Sequence, residues 1–372
     1  MKIKPTTKFA ILALSLVLVA CAGGGSEEAG CPAIDGREIN VVATTPMIGE
    51  FVSQVGGENI NLTVLMPPEA NPHTYEPAPQ DAGTIAEADL VFYTGLLYEP
   101  AALVKLLENS ACSTDILSEV GESVFPIEFK EGGHDDHDDH DDHDDHDDEK
   151  DHDDEKDHDD EEGHDDHDDE EGHDDHDDEE GHDDEEGHDD HEGHNHGAYD
   201  PHFWFDPSRV AYAAEYIESR LIQFDPENES SYKSSADSFV SELNDLTKQV
   251  SELISTVPSQ NRKLITTHES LGYLEAKFGL EVLSTIIPSL NSANEISPSD
   301  LAGVIDVIED NNVKVIFIES EAPSVYSETI VAETGIKSVT GLYVETLKPG
   351  QSYSEFLISN VKLITENLQD TD

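Results

Sequence analysis

Basic residues are what this 372-residue sequence has least of: 19 Lys and Arg stand against 85 Asp and Glu, for a formal charge of −66. A polyanion of that strength repels nucleic acid and anionic lipid surfaces and attracts cations. Cysteine is also scarce. The three cysteines, Cys21, Cys31 and Cys112, lie in no Cys-x-x-Cys or Cys/His cluster, which argues against a thiolate metal site. No Gly-x-x-x-x-Gly-Lys-Ser/Thr loop occurs, so any ATP hydrolysis tied to this chain resides on a partner. No His-Glu-x-x-His pair occurs either, which weakens a zinc-hydrolase reading, although Glu269 beside His268 could be imagined as a base. Finally, no apolar run reaches the roughly 20 residues that a bilayer span needs.

The longest such run, Phe9 to Ala20, has 12 residues and follows Lys2, Lys4 and Lys8, the pattern of an export signal. It closes on Leu18-Val19-Ala20-Cys21, which resembles a bacterial lipobox, so a lipid-modified Cys21 is expected as the first mature residue and membrane anchor. Gly23-Gly24-Gly25-Ser26-Glu27-Glu28 then reads as a flexible tether. With Cys21 given to lipid, Cys31 and Cys112 remain as a candidate disulfide pair, which an exported location permits.

Much of the charge is local. From His134 to His196, 28 Asp and 11 Glu against 2 Lys give −37, leaving −29 for the remainder. This tract repeats His-Asp-Asp with Glu-Glu-Gly-His punctuation and holds no apolar residue, so it cannot bury a core and is expected to be disordered. Acidity alone would not require its 16 histidines, which suit loose capture of several divalent ions.

The rest alternates strand and helix. Strands are expected at Ile39–Thr45, Asn61–Met66 and Leu90–Thr94, with helical pattern at Met47–Val55, Thr84–Ala88 and Pro100–Leu107. Asp206 and Pro207 open a helix to about Phe224, as N-cap and first helical residue. A longer helix from roughly Glu227 to Val257 places Phe239, Leu243, Leu246, Val250, Leu253 and Val257 on one stripe. Beyond Pro258 the logic repeats, with strands at 263–267, 281–287, 313–318 and 337–342 and helices at 271–278, 299–309, 325–334 and 354–368. The fold class expected is α/β, two βα lobes joined by one long helix and carrying the acidic His-rich insertion. In residue numbers: 1–20 signal, 21–36 tether, 37–225 first lobe with the 131–197 insertion, 226–258 linking helix, 259–372 second lobe.

Only three histidines lie outside the tract, and each falls where a ligand belongs. His73, in Asn71-Pro72-His73-Thr74-Tyr75-Glu76-Pro77, occupies the loop beyond a strand; His268 directly follows another; open α/β sheets bind ligands at strand carboxyl ends. His202, in Asp200-Pro201-His202-Phe203-Trp204-Phe205-Asp206-Pro207, sits where the acidic tract re-enters folded chain, beside the only tryptophan. Three imidazoles suit Zn(II) better than oxygen-preferring Mn(II). Glu345, again at a strand end, is the fourth candidate ligand; Glu76 or water are the alternatives, and Glu76 could instead orient His73.

The stretches at Asn71–Pro77, Asp200–Pro207 and Thr266-Thr267-His268-Glu269-Ser270-Leu271-Gly272-Tyr273 resemble, in order, the signatures of the cluster A-I solute-binding proteins. These are the zinc and manganese receptors of bacterial ABC importers, and the similarity runs from Ile39 to Leu368. The resemblance implies a rigid linking helix, a metal held between the lobes by His73, His202 and His268 plus a carboxylate or water, and no catalysis. It further implies a monomer that delivers Zn(II) to a permease and its ATPase. An acidic His-rich insertion is typical of the zinc branch, and the third ligand is usually Glu in manganese members, so His268 points to zinc. The family's C-terminal carboxylate is generally Asp, and here Glu345 holds its place. The alternatives are a manganese-preferring receptor and a surface metal store or adhesin built on the tract.

Overall fold

Two all-parallel sheets form the frame. In the first, β1 (Ile39–Ala43), β2 (Ile60–Val64), β3 (Leu90–Tyr93) and β4 (Leu117–Glu119) lie in the order β2-β1-β3-β4. In the second, β5 (Lys263–Thr266), β6 (Glu281–Thr285), β7 (Val315–Glu319) and β8 (Lys337–Leu342) repeat that order as β6-β5-β7-β8. The computed structural model describes Cys31, Ile34 and residues 36–68, 70–129, 199–287, 297–320 and 325–369. The export signal, Cys21 and the acidic tract lie outside them.

Parallel strands require crossovers, and helices supply them. α1 (Pro46–Gly56) is started by Thr45, whose side chain accepts from the Ile48 amide, with Pro46 at the first helical position. α2 (Pro79–Ala86) and α3 (Ala101–Ser110) cover the first sheet. α2 begins earlier than the sequence pattern suggests, because Pro79 opens it and Asp81 reaches back to the Ala78 amide at 2.7 Å. β4 was not legible at all; three residues are too few to show a period. α4 (Pro207–Phe224) starts as expected, with Asp206 Oδ1 accepting from the Ser208 amide at 2.8 Å.

The long helix is α5 (Glu229–Ser255). Its buried face runs through Tyr232, Ala236, Phe239, Leu243, Leu246, Val250 and Ile254. Leu253 is only half-buried, because a 3.6-residue repeat carries the stripe from Val250 to Ile254. In the second lobe α6 (Gly272–Phe278), α7 (Pro298–Asn311), α8 (Val325–Thr334) and α9 (Tyr353–Gln369) follow.

One apolar core runs from β1 and α1 through Phe203, Trp204, Phe205, α4 and α5 into β7 and α9, so the two sheets share an interior. Trp204 is fully buried, and burying a side chain of that size contributes roughly 4–6 kcal/mol before entropy is counted. Its indole N–H donates to the Val344 carbonyl at 2.8 Å, while Tyr353 Oη donates to the Trp204 carbonyl at 2.7 Å. The segment between tract and α4 is thereby fastened to the second lobe. Cys31 and Cys112 form a disulfide that ties the start of the first lobe to the end of α3. Among the described residues, no helix is long and apolar enough to cross a membrane.

Candidate metal centre

Parallel strands point all their carboxyl ends one way, and the loops leaving those ends carry the site. Beyond β2, a single 3-10 turn, Pro72–Thr74, presents His73; Asn71 shapes it by accepting from the His73 amide at 2.9 Å. Beyond β3 comes Tyr98. Beyond β5 comes His268, and β7 ends on Glu319. Beyond β8 comes Glu345. His202 lies just ahead of the Phe203–Phe205 turn that leads into α4.

These loops bring His73, His202, His268 and Glu345 together. One ligand atom from each lies within 4.8 Å of the other three. Glu345 Oε1 stands 3.1 Å from His73 Nε2, 3.5 Å from His202 Nε2 and 2.8 Å from His268 Nε2. Ligand atoms on a tetrahedral zinc with bonds near 2.1 Å would be about 3.4 Å apart, so the set is close to that spacing. His202 is fully buried, His268 and Glu345 nearly so, and His73 keeps an exposed edge. Glu76, the competing carboxylate, is exposed and outside the cluster.

Two carboxylates orient the rings from behind. Asp200 Oδ1 accepts from both the His202 amide and His202 Nδ1, each at 2.8 Å. Glu319 Oε2 accepts from His268 Nδ1 at 2.5 Å and its Oε1 from the His268 amide at 3.2 Å. A carboxylate only accepts, so one proton sits on Nδ1, and loss of the second ring proton leaves the lone pair at Nε2. Those two Nε2 atoms are buried without a hydrogen-bond partner, and both face Glu345 Oε1. Buried nitrogens without partners are costly, and a cation among them is the chemistry that would satisfy them. The donor set of three imidazoles and one carboxylate fits a zinc-like ion.

The charges are coupled. Burial pulls the His202 imidazole down, but Glu345 and the Asp200 hydrogen bond outweigh it and push the ring up to about 9. Burial likewise opposes His268, and Glu319 with Glu345 overcomes it and raises that ring well above its ordinary value. For Glu345, burial would raise the carboxyl, yet His73 and His202 hold it well below the usual carboxylate range. Without an ion, the raised His202 and His268 imidazoles face the lowered Glu345 carboxyl as opposite charges.

Sequence reasoning missed the supporting groups. Asp200, two residues before His202, could have been read locally. Glu319, a charge closing the apolar run Val-Ile-Phe-Ile, was a fainter signal. Tyr98 gave none, yet it is buried and donates to Glu345 Oε2 at 2.9 Å and to the Glu345 carbonyl at 3.1 Å. The loop that carries it is strained, with left-handed φ at Gly95 (+78°), Leu96 (+53°) and Leu97 (+60°). Such a conformation costs on the order of 1–3 kcal/mol at each leucine. Two carboxylates hold it. Glu99 accepts from the Thr94 and Gly95 amides at 2.6 and 2.9 Å, and Glu119 from the Leu96 amide at 2.9 Å. Gly95 is required here, because a Cβ would lie 2.0 Å from Glu119 Oε1.

The sequence model of the family described as ZnuA, zinc-uptake complex component A, periplasmic, matches residues 41–367. The manganese ABC transporter substrate-binding lipoprotein PsaA of Streptococcus anginosus is 24% identical over 368 residues, which cover 96% of this chain and 97% of that one. The high-affinity zinc uptake system protein ZnuA of Bacillus subtilis (strain 168) is 25% identical over 370 residues, 97% of this chain and 96% of its own. Among solved structures, the periplasmic zinc binding protein TroA from Treponema pallidum has the same fold. It matches at a TM-score of 0.66 over 89% of this chain and 99% of its own, at 18% identity.

Proposed function

This chain belongs to the family of the zinc-uptake complex component A and is a metal-binding receptor of the ABC-importer type; from that premise we propose that its cargo is Zn(II), held by His73, His202, His268 and Glu345. The observation that carries the reading is the meeting of three Nε2 atoms at one carboxylate oxygen, two of them buried without a hydrogen bond. The names of the relatives do not decide the ion, since one is named for manganese and another for zinc. The donors favour zinc: three imidazoles and one oxygen suit a borderline cation, whereas manganese prefers oxygen ligands and more of them.

In this reading the receptor is a monomer anchored outside the cytoplasmic membrane through lipidated Cys21, and it hands the ion to a permease driven by a separate ATPase. His73 and His202 come from the first lobe and its return segment, His268 and Glu345 from the second, so the ion bridges the two. The tract at 134–196 raises the local concentration of metal without fixing its geometry. Competitive titration of purified protein with zinc and manganese tests the proposal. One tight zinc per chain, lost in His73→Ala, is the expected result; unchanged tight binding in that variant refutes the site. Preference for manganese at the same site would replace zinc as cargo. Deleting 133–197 separates a receptor, which keeps one tight ion, from a metal store, which loses nearly all binding.

A further inference from the structure

We infer that Tyr98 sets the coordination number of the site, and through it the choice of ion, by holding back one oxygen of Glu345. The inference rests on the reading of the four residues as an ion site. A carboxylate can bind a cation through one oxygen or through both. Here the two oxygens have different neighbours. Oε1 faces all three histidines at 2.8–3.5 Å, whereas Oε2 accepts the Tyr98 hydroxyl at 2.9 Å. Because the same hydroxyl lies 3.1 Å from the Glu345 carbonyl, the phenol is tied to both the side chain and the backbone of this residue. Rotation of Glu345 toward two-oxygen binding would break the contact to Oε2 inside a buried site, where a lost hydrogen bond is not replaced by water.

The surroundings fix Tyr98 in turn. Its ring packs edge-on against His73, His202 and Trp204, with centroids 5.1, 5.9 and 5.3 Å away. The strained Gly95-Leu96-Leu97 loop that delivers it is held from beneath by Glu99 and Glu119. Backbone strain concentrates where geometry matters to function, and this loop bears no other residue of the site. With Oε2 occupied, the chain offers three nitrogens and one oxygen. Four donors complete a zinc tetrahedron and leave short an ion that prefers five or six. Tyr98 is thus a positioning residue for specificity, acting on the ion through Glu345.

The test compares the full chain with Tyr98→Phe, which keeps the ring and removes only the hydroxyl. Cobalt(II) added at one equivalent is the probe, because its visible bands are intense in four-coordinate sites and weak in five- or six-coordinate ones. The wild type is expected to give the intense spectrum. Tyr98→Phe is expected still to bind one zinc, to lose cobalt band intensity as a fifth donor joins, and to show a zinc-over-manganese preference lower by roughly tenfold, the weight of one hydrogen bond to a charged group. An unchanged spectrum and ratio in the variant would overturn the inference, as would a weak spectrum in the wild type or loss of one-to-one zinc binding in the variant. Failure of the wild type to bind either ion one-to-one is a separate result, and it removes the site itself.

Discussion

Entry of the ion should expel two protons from the site near neutral pH. In the ion-free protein, burial opposes charge on His202, but Glu345 and Asp200 push its imidazole up to about 9. At pH 7 this ring is about 99% protonated, since two pH units separate the two values. A protonated imidazole has no lone pair to give, so zinc must displace the proton. That displacement weakens apparent binding at pH 7 about 100-fold, or about 2.7 kcal/mol, relative to a pH above 9. His268, raised well above its ordinary value by Glu319 and Glu345 against burial, adds a second proton. Glu345 is held well below the usual range and adds none. Apparent affinity should therefore climb by about one decade per pH unit between roughly pH 7 and 8.5 from His202 alone, and more steeply wherever His268 is charged as well. Chelator competition across that window measures the slope, and calorimetry in buffers of different ionisation enthalpy counts the protons. A slope below one decade, with heats that do not depend on buffer, would refute the charge assignment.

Asp200→Asn and Glu319→Gln keep the shape behind His202 and His268 but remove the charge that fixes the Nδ1 proton, and each should weaken zinc binding by about 10- to 100-fold, measured by the same competition. The ion-free protein should lose stability as pH rises toward 9 and above: the raised imidazoles contribute stability fully below their unfolded value near 6.5, and it fades through their folded values. Glu345, lowered in the fold, contributes above about pH 4.3 and loses that contribution as pH falls. Thermal melts should fall with pH from 7 to 9 without zinc and stay nearly level with zinc bound. Replacing Cys31 and Cys112 with serine opens a loop of sequence separation 81 and should cost about 4–5 kcal/mol on the chain-entropy account, read by urea unfolding, with zinc affinity of the folded protein unchanged.

The architecture was legible because its signals are local. Alternating apolar strands and helices, Asp206-Pro207 at the start of α4 and a heptad-like stripe along α5 all speak within a dozen residues. The three histidines stood out by rarity once the tract was set aside. What the sequence hid is what the fold brings from afar. Glu319 meets His268 across 51 positions and Tyr98 meets Glu345 across 247, and no periodicity reports such a pairing. β4 hid for a different reason: Leu117–Glu119 gains its strand geometry from pairing with β3, not from its own pattern.

The most direct measurement is X-ray absorption at the zinc edge on the full chain loaded with one equivalent of zinc. Three imidazole nitrogens and one carboxylate oxygen, all near 2.0–2.1 Å, are expected. A shell of five or six oxygens with one imidazole or none would contradict the account, because the ion would then sit among the carboxylates of the tract and not between His73, His202, His268 and Glu345.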